Sequence, residues 1–437
     1  MANTQARGKV IVDVLEEAFD ELMQADPQAF RVKFRKMAAD PFAFFRGSAC
    51  LFYADVTKMR NKWTDDRTSS IWIQGDLHVE NFGTYMNSNG RLVFDINDFD
   101  EAYIGHFTWD LRRFVASLAL MGWQKALPES AVRALIAKYI RAYLSQVNHY
   151  LKSDADDFAL HLDNTTGPIL DVLLDARGYT RASMLDAMTQ IDDHVRVFRE
   201  DTTVRRLGRE ERSKTLRAFE DYLETIPENK KVERDLFYDV RDVVGKSGFG
   251  IGSAGLPAYN VLVEGYTQAL DNDVVLSMKQ ANVPALSKFA DTEQVEQYFQ
   301  HEGHRTVVSQ RALQVHTDPL LGYTSIDGVG YVIDELSPYE ADLDWSSINE
   351  PADMAQVVEM LGRATAKVHC ASDEDSEQDL VHFQVEEAIA HALEGRRREF
   401  TDDMVEFAIR YALKARRDHG LFVDAFREGQ IGGVTAT

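Results

Sequence analysis

Only two cysteines, Cys50 and Cys370, occur in the 437 residues. That excludes a disulfide framework and a cysteine-based zinc site. Positive charge is scarce too, with 48 Lys and Arg against 71 Asp and Glu, a formal charge of −23. Such a surplus repels a phosphate backbone, so nucleic acid is not an expected partner. A nucleotide is not excluded, because its phosphates meet local cations and metal ions rather than the global field. Long apolar runs are also missing. Residues 115–123 form one of the longest and are too short to span a bilayer. The first twenty or so residues read as an acidic amphipathic helix rather than a signal peptide. These absences lead us to expect a soluble chain in the reducing cytoplasm, with no membrane partner. They say nothing about oligomeric state.

What is present fits a globular enzyme: 45% hydrophobic and 10% aromatic residues, in a chain long enough for two or three domains. The chemistry is densest in residues 71–111, IWIQGDLHVENFGTYMNSNGRLVFDINDFDEAYIGHFTWDL. Two apolar strands are expected there, each ending in acids and amides: Asp76, His78, Glu80 and Asn81 after the first, and Asp95, Asn97, Asp98 and Asp100 after the second. Turn residues alone would account for isolated pieces of this. The order D-L-x-x-x-N from Asp76 to Asn81, followed by Asp98-Phe99, instead matches the way kinases supply a catalytic Asp and two metal ligands. Asp76 and His78 are the candidate catalytic residues; Asn81, Asp98 and Asp100 are the candidate metal ligands.

A second group lies far downstream. Gly250-Ile251-Gly252-Ser253-Ala254-Gly255 fits G-x-G-x-x-G, but a strand rather than a helix is expected after it, which argues against a dinucleotide fold. Strand, glycine loop and strand are the kinase form, and a third strand over 274–278 presents Lys279 for the nucleotide phosphates. Residues 292–314 read as one helix, from which Glu302 (or Glu296) would hold Lys279. Two strands around the turn Ile326-Asp327-Gly328 lead to a hinge, where the backbone at Glu335 and Leu336 would meet adenine. Residues 40–47 read as a turn. Arg46 within it is either a phosphate clamp or a surface cation over packed Phe rings. The span 180–226 reads as solvated helix, 354–370 as a helix with His369 packed at its end, and 429–437 as a frayed tail.

The parts of a kinase are thus present in rotated order, which circular permutation explains economically. The chain resembles the bacterial family known as domain of unknown function 2252. The resemblance is carried by Pro41–Gly47, by the Gly75–Gly83 motif, by Asp98-Phe99-Asp100-Glu101, and by Trp109-Asp110-Leu111-Arg112-Arg113. Gly252–Gly255, Lys279 and Glu302-Gly303-His304-Arg305 extend it. The loop at Asp76 is similar to that of aminoglycoside and choline kinases, with Gln74 where those have a supporting His. The resemblance implies an α+β, two-lobed, circularly permuted protein-kinase-like fold. Residues 1–231 and 339–437 would form a large helical lobe, and 232–338 a small antiparallel-sheet lobe. The activity implied is ATP- and Mg²⁺-dependent phosphoryl transfer to a small hydroxylated acceptor, and the acidic charge balance suggests a cationic one. The rivals are a nucleotide-binding pseudokinase, AMP transfer to protein, and a metal-dependent phosphohydrolase built on Asp76, His78, Asp95, Asp98 and Asp100.

Overall fold

Helix α1 (Ala2–Ala25) is followed by two Asp-Pro steps that start α2 (Pro27–Ala39) and α3 (Pro41–Gly47). In each, the Asp side chain caps the amides of the first turn and proline takes the first helical position, where no N–H is needed. This is why 40–47 is a helix and not the expected turn. Helix α4 (Ala49–Val56) completes the set. The computed structural model describes residues 2–153, 158–247, 255–290, 293–314, 316–373 and 379–436.

Residues 71–111 contain four strands: β1 (Ile71–Ile73), β2 (Phe82–Met86), β3 (Leu92–Ile96) and β4 (Tyr103–Gly105). The two expected strands are not each other's partners. β1 pairs antiparallel with β4, and β2 with β3. Helices α5 (Phe107–Gln124) and α6 (Glu129–Tyr150) follow and pack through Phe114 stacked on Tyr139, 3.9 Å between ring centroids. Strand β5 (Leu160–His161) adds to β3, and α7 (Gly167–Arg177) covers it.

The span expected to be solvated helix is mixed. Helices α8 (Arg181–Met188) and α9 (Arg209–Leu223) enclose three strands, β6 (Thr189–Asp192), β7 (Val195–Phe198) and β8 (Val204–Arg206). The turn Asp193-His194 has φ of 46° and 66°, the left-handed pair that closes a tight hairpin. That signal is hidden among the charges.

A six-stranded antiparallel sheet in the order β12-β13-β11-β10-β9-β8 follows. It adds β9 (Val240–Lys246), β10 (Ala258–Val263) and β11 (Val274–Gln280). Helices α10 (Glu293–Tyr298) and α11 (Glu302–Gln314) replace the single expected helix, and β12 (Gly322–Ile326) and β13 (Val329–Glu335) flank the expected turn, with Asp327 and Gly328 both at positive φ. Because β8 belongs to this sheet and α9 packs on its outer face through Phe219 and Tyr222, the sheet unit starts before the expected boundary at 232.

The chain ends in α12 (Pro351–Cys370), α13 (Val385–Ala392) and α14 (Arg397–Arg427), and α12 lies along α6 in the main core. The tail is not frayed in its described part. Ile431 and Val434 are buried against α1 and α14, and the Gly432 amide donates to Glu16 at 2.6 Å. The architecture is α+β with antiparallel sheets. Among the described residues no helix is long and apolar enough to cross a membrane.

Candidate functional site

Alternation along β11 and β13 decides which side chains face inward. Ser277 pairs with Asp334 and Lys279 with Val332, so these four share one face, while Met278 and Ile333 point into the core beneath α9. Lys279, Val332 and Asp334 line a cleft of about 410 Å³. Its other walls are Thr306 and Gln310 of α11, the loop residues His78, Glu80, Asn81, Asn97, Asp98 and Asp100, and Arg46 of α3. Residues more than 200 positions apart thus meet in one polar space of small-molecule size.

The first loop is held from below. Asp110, fully buried in the first turn of α5, accepts the amides of Gln74 at 2.7 Å and Gly75 at 2.9 Å. His369 meets the same carboxylate at 3.2 Å and the Tyr143 hydroxyl at 2.9 Å, so it is a packed support, as expected. Gln74 ties the two loops together: its amide nitrogen donates to the Asp98 carbonyl, and its oxygen accepts the Asp76 amide. Gly75 sits at φ +86°, and a Cβ there would lie 2.0 Å from the Glu101 carbonyl oxygen. Gly75→Ala should therefore cost at least about 1–3 kcal/mol from the backbone conformation alone. Denaturant unfolding at matched m-value checks this, and an unchanged midpoint would refute it.

Asp76 is 18% exposed and ion-paired to the fully buried Arg113. Burial pushes its carboxyl up to about 6, against the pull of Arg113 and with some help from Asp98. Arg113 also donates to the Phe45 carbonyl at 3.0 Å and lies over the Phe45 ring, fixing α3 beside the loop. Arg46 consequently lines the cleft, paired to Glu80. It is neither a bare surface cation nor free of a partner. His78 is buried, and desolvation together with Arg46 and Arg113 holds it well below the usual histidine range. It is neutral, with Nδ1 accepting the Glu80 amide at 3.3 Å.

Asn81 is 1% exposed, yet both atoms of its side-chain amide lack a protein partner. An unmet buried amide costs about 1–3 kcal/mol, and such a group in a cleft wall points to a ligand. Asp98 is exposed into the same space, and burial followed by the Asp98 charge pushes Asp100 upward. Among the described residues no three His, Cys, Asp or Glu side chains converge as a metal cage. Magnesium, however, commonly takes only one or two protein carboxylates, plus waters and phosphate oxygens. Asn81 with Asp98 fits that pattern, and Asp100 stands beside them.

Three expectations are corrected here. Glu302 pairs with Arg305 at 2.6 Å, whereas the carboxylates acting on Lys279 are Asp334 first, then Asp100, Glu340 and Asp98, which together raise its pKa. The Glu335 amide donates to Asp318 at 2.7 Å and the Leu336 amide to the Val275 carbonyl at 2.9 Å, so neither amide is free to donate to adenine. Asp95 is 3% exposed in an ion pair with Lys367, which removes it from the hydrolase set, whereas Asp76, also not among the cleft-lining residues, stays 18% exposed beside them. Of the glycine loop, Gly250, Gly252 and Ser253 lie outside the described residues; Gly255 lies against α2. Sequence reasoning missed Arg113, one turn after Asp110, and Asp334, whose inward position follows only from the strand register.

The family described as "Uncharacterized protein conserved in bacteria (DUF2252)" matches residues 25–425. The chain belongs to that family. The DUF2252 match spans both loops, Lys279 and α11, so every cleft-lining residue lies within it. No curated protein and no solved structure matches the chain.

Proposed function

We propose that this DUF2252 protein is an ATP- and Mg²⁺-dependent phosphotransferase acting on a small hydroxylated, cationic molecule, with a protein-kinase-like fold in circularly permuted order. The observation that carries this reading is the meeting of Lys279, on the third of three consecutive antiparallel strands, with Asn81 and Asp98 across one cleft. Kinases use a strand-three Lys and an Asn–Asp pair in this combination.

In this reading Asn81 and Asp98 would hold a magnesium ion, which would supply charge neutralisation for the transferred phosphoryl group. Lys279 meets the phosphates, and Asp334 and Asp100 keep it protonated. Asp76, oriented by Arg113, accepts the proton of the acceptor hydroxyl. Glu80 and Asp342 line the same cleft and offer negative charge to a cationic acceptor. A nucleotide-binding protein without turnover is the second reading. The ion pair that occupies Asp76 favours it.

Calorimetry tests both. ATP should bind in a magnesium-dependent way, and Asp98→Ala should weaken that binding by at least about tenfold, the usual scale for a lost contact to a charged group. Lys279→Ala should weaken ATP binding with or without metal. No binding by the wild-type chain would end the kinase, pseudokinase and AMP-transfer readings together.

A further inference from the structure

Arg305 has no part in the reading above, yet it is heavily engaged beside the cleft. It is 1% exposed and makes four hydrogen bonds. Nε donates to Glu302 at 2.6 Å, Nη1 to the Ala102 carbonyl at 2.7 Å, and Nη2 to the carbonyls of Asp100 at 2.9 Å and Asn282 at 2.8 Å. Three separate segments meet on one guanidinium. One carries Asp98 and Asp100, one runs on from Lys279, and one is α11 itself.

The surroundings fix where that guanidinium can be. A Cβ on Gly303 would lie 2.5–2.8 Å from the backbone of Tyr331, so the first turn of α11 rests directly on β13. Glu101 makes a parallel tie: its carboxylate accepts the Ala285 amide at 2.6 Å and the Asn282 side chain at 3.3 Å. Ser309, one turn beyond Arg305, adds a bond to the Ala102 carbonyl at 3.4 Å. Thr306 and Gln310, on the neighbouring stripe of the helix, form the cleft wall.

We infer that Arg305 is a positioning residue: oriented by Glu302, it sets the separation between Lys279 and the carboxylates of Asp98 and Asp100 by gripping the backbone of both segments. Glu302 therefore has a function at this site, though not the one its sequence position suggests. A guanidinium suits the task because its planar fork reaches several carbonyls at once. An ammonium is a point charge and cannot hold three of them in fixed geometry. The inference rests on the nucleotide reading for its effect on metal, but not for its effect on the backbone.

The test uses the full-length chain with Arg305→Lys and Glu302→Gln, which keep a cation or an acceptor in place, and Arg305→Ala as the severe variant. Mn²⁺ binding is followed by electron paramagnetic resonance with ATP present. Amide hydrogen exchange is followed without ligand. Arg305→Lys should lower Mn²⁺ affinity by about 10–100-fold, the range found when groups that orient metal ligands are lost. Glu302→Gln should produce a smaller loss of the same kind. Metal-free ATP affinity should change less than twofold in both. Exchange should quicken over residues 98–105 and 281–285, with 82–96 unchanged. Unaltered exchange in both conservative variants overturns the inference, whether or not Arg305→Ala folds. Altered exchange in a protein whose wild type binds no Mn²⁺ and ATP keeps the inference for the backbone and removes the phosphotransferase reading instead.

Discussion

Asp76→Asn should lower ATP turnover, measured to water or to an accepted hydroxyl compound, by about 10²–10⁴, the usual contribution of a positioned general base. The amide keeps the size of the side chain and an oxygen for Arg113, so the fold and the affinity for nucleotide should persist. Wild-type turnover should carry the signature of the same group. Burial raises the Asp76 carboxyl to about 6, and only the ionised form accepts a proton. The rate should accordingly fall as pH drops through about 6 and level off above it, and the variant should lose that inflection. An asparagine variant with undiminished turnover would leave Asp76 as no more than a counter-ion for Arg113.

Lys367→Met should unfold the protein more easily by about 3–5 kcal/mol, because it strands Asp95 without a counter-charge in the core. Both partners are 3% exposed, and the ammonium also reaches the Leu313 carbonyl at 3.3 Å. Desolvating two charges offsets most of their attraction, so the double variant Asp95→Leu/Lys367→Met should recover most of the loss. Denaturant midpoints of the two singles and the double close the cycle. A double variant as unstable as the single would mean that the pair contributes net stability. This pair joins β3 to α12, the strand that leads into Asp98 to the helix whose end supports Asp110. Losses in stability and in metal binding should therefore travel together.

Several residues that line the cleft were legible in the sequence as polar groups at strand ends, because they sit in short local runs. Asp76-to-Asn81 and Asp98-to-Asp100 are short runs whose residue types announce a polar strand end, and Lys279 closes an unmistakable apolar strand. What could not be read was whatever depends on pairing across the chain. That β1 and β3 each have a different partner, and that Asp334 faces inward beside Lys279, follows from register alone. The helix capped by Asp40-Pro41 was legible in principle, since an Asp before a Pro is a start signal, but the same dipeptide also marks turns. Glu302 was misassigned for a further reason. Helical position predicts which stripe a side chain occupies, but not that Arg305, one turn on, would claim it. The strands of 189–206 were obscured by their charges, which periodicity cannot distinguish from a solvated helix when each strand is only three or four residues long.

The segment that leaves β13 runs straight onto the other side of the cleft. Thr84 donates its amide to the Ala341 carbonyl at 2.9 Å, the Leu343 amide reaches the Phe82 carbonyl at 3.1 Å, and the Trp345 indole reaches the Val79 carbonyl at 2.7 Å. This seam, the Arg305 grip and the Gln314 side-chain amide on the Ile96 carbonyl at 2.9 Å fasten the sheet to the helical part at several places. Every one of these ties ends on a main-chain carbonyl, so a substitution on the accepting side leaves the junction that forms the cleft in place.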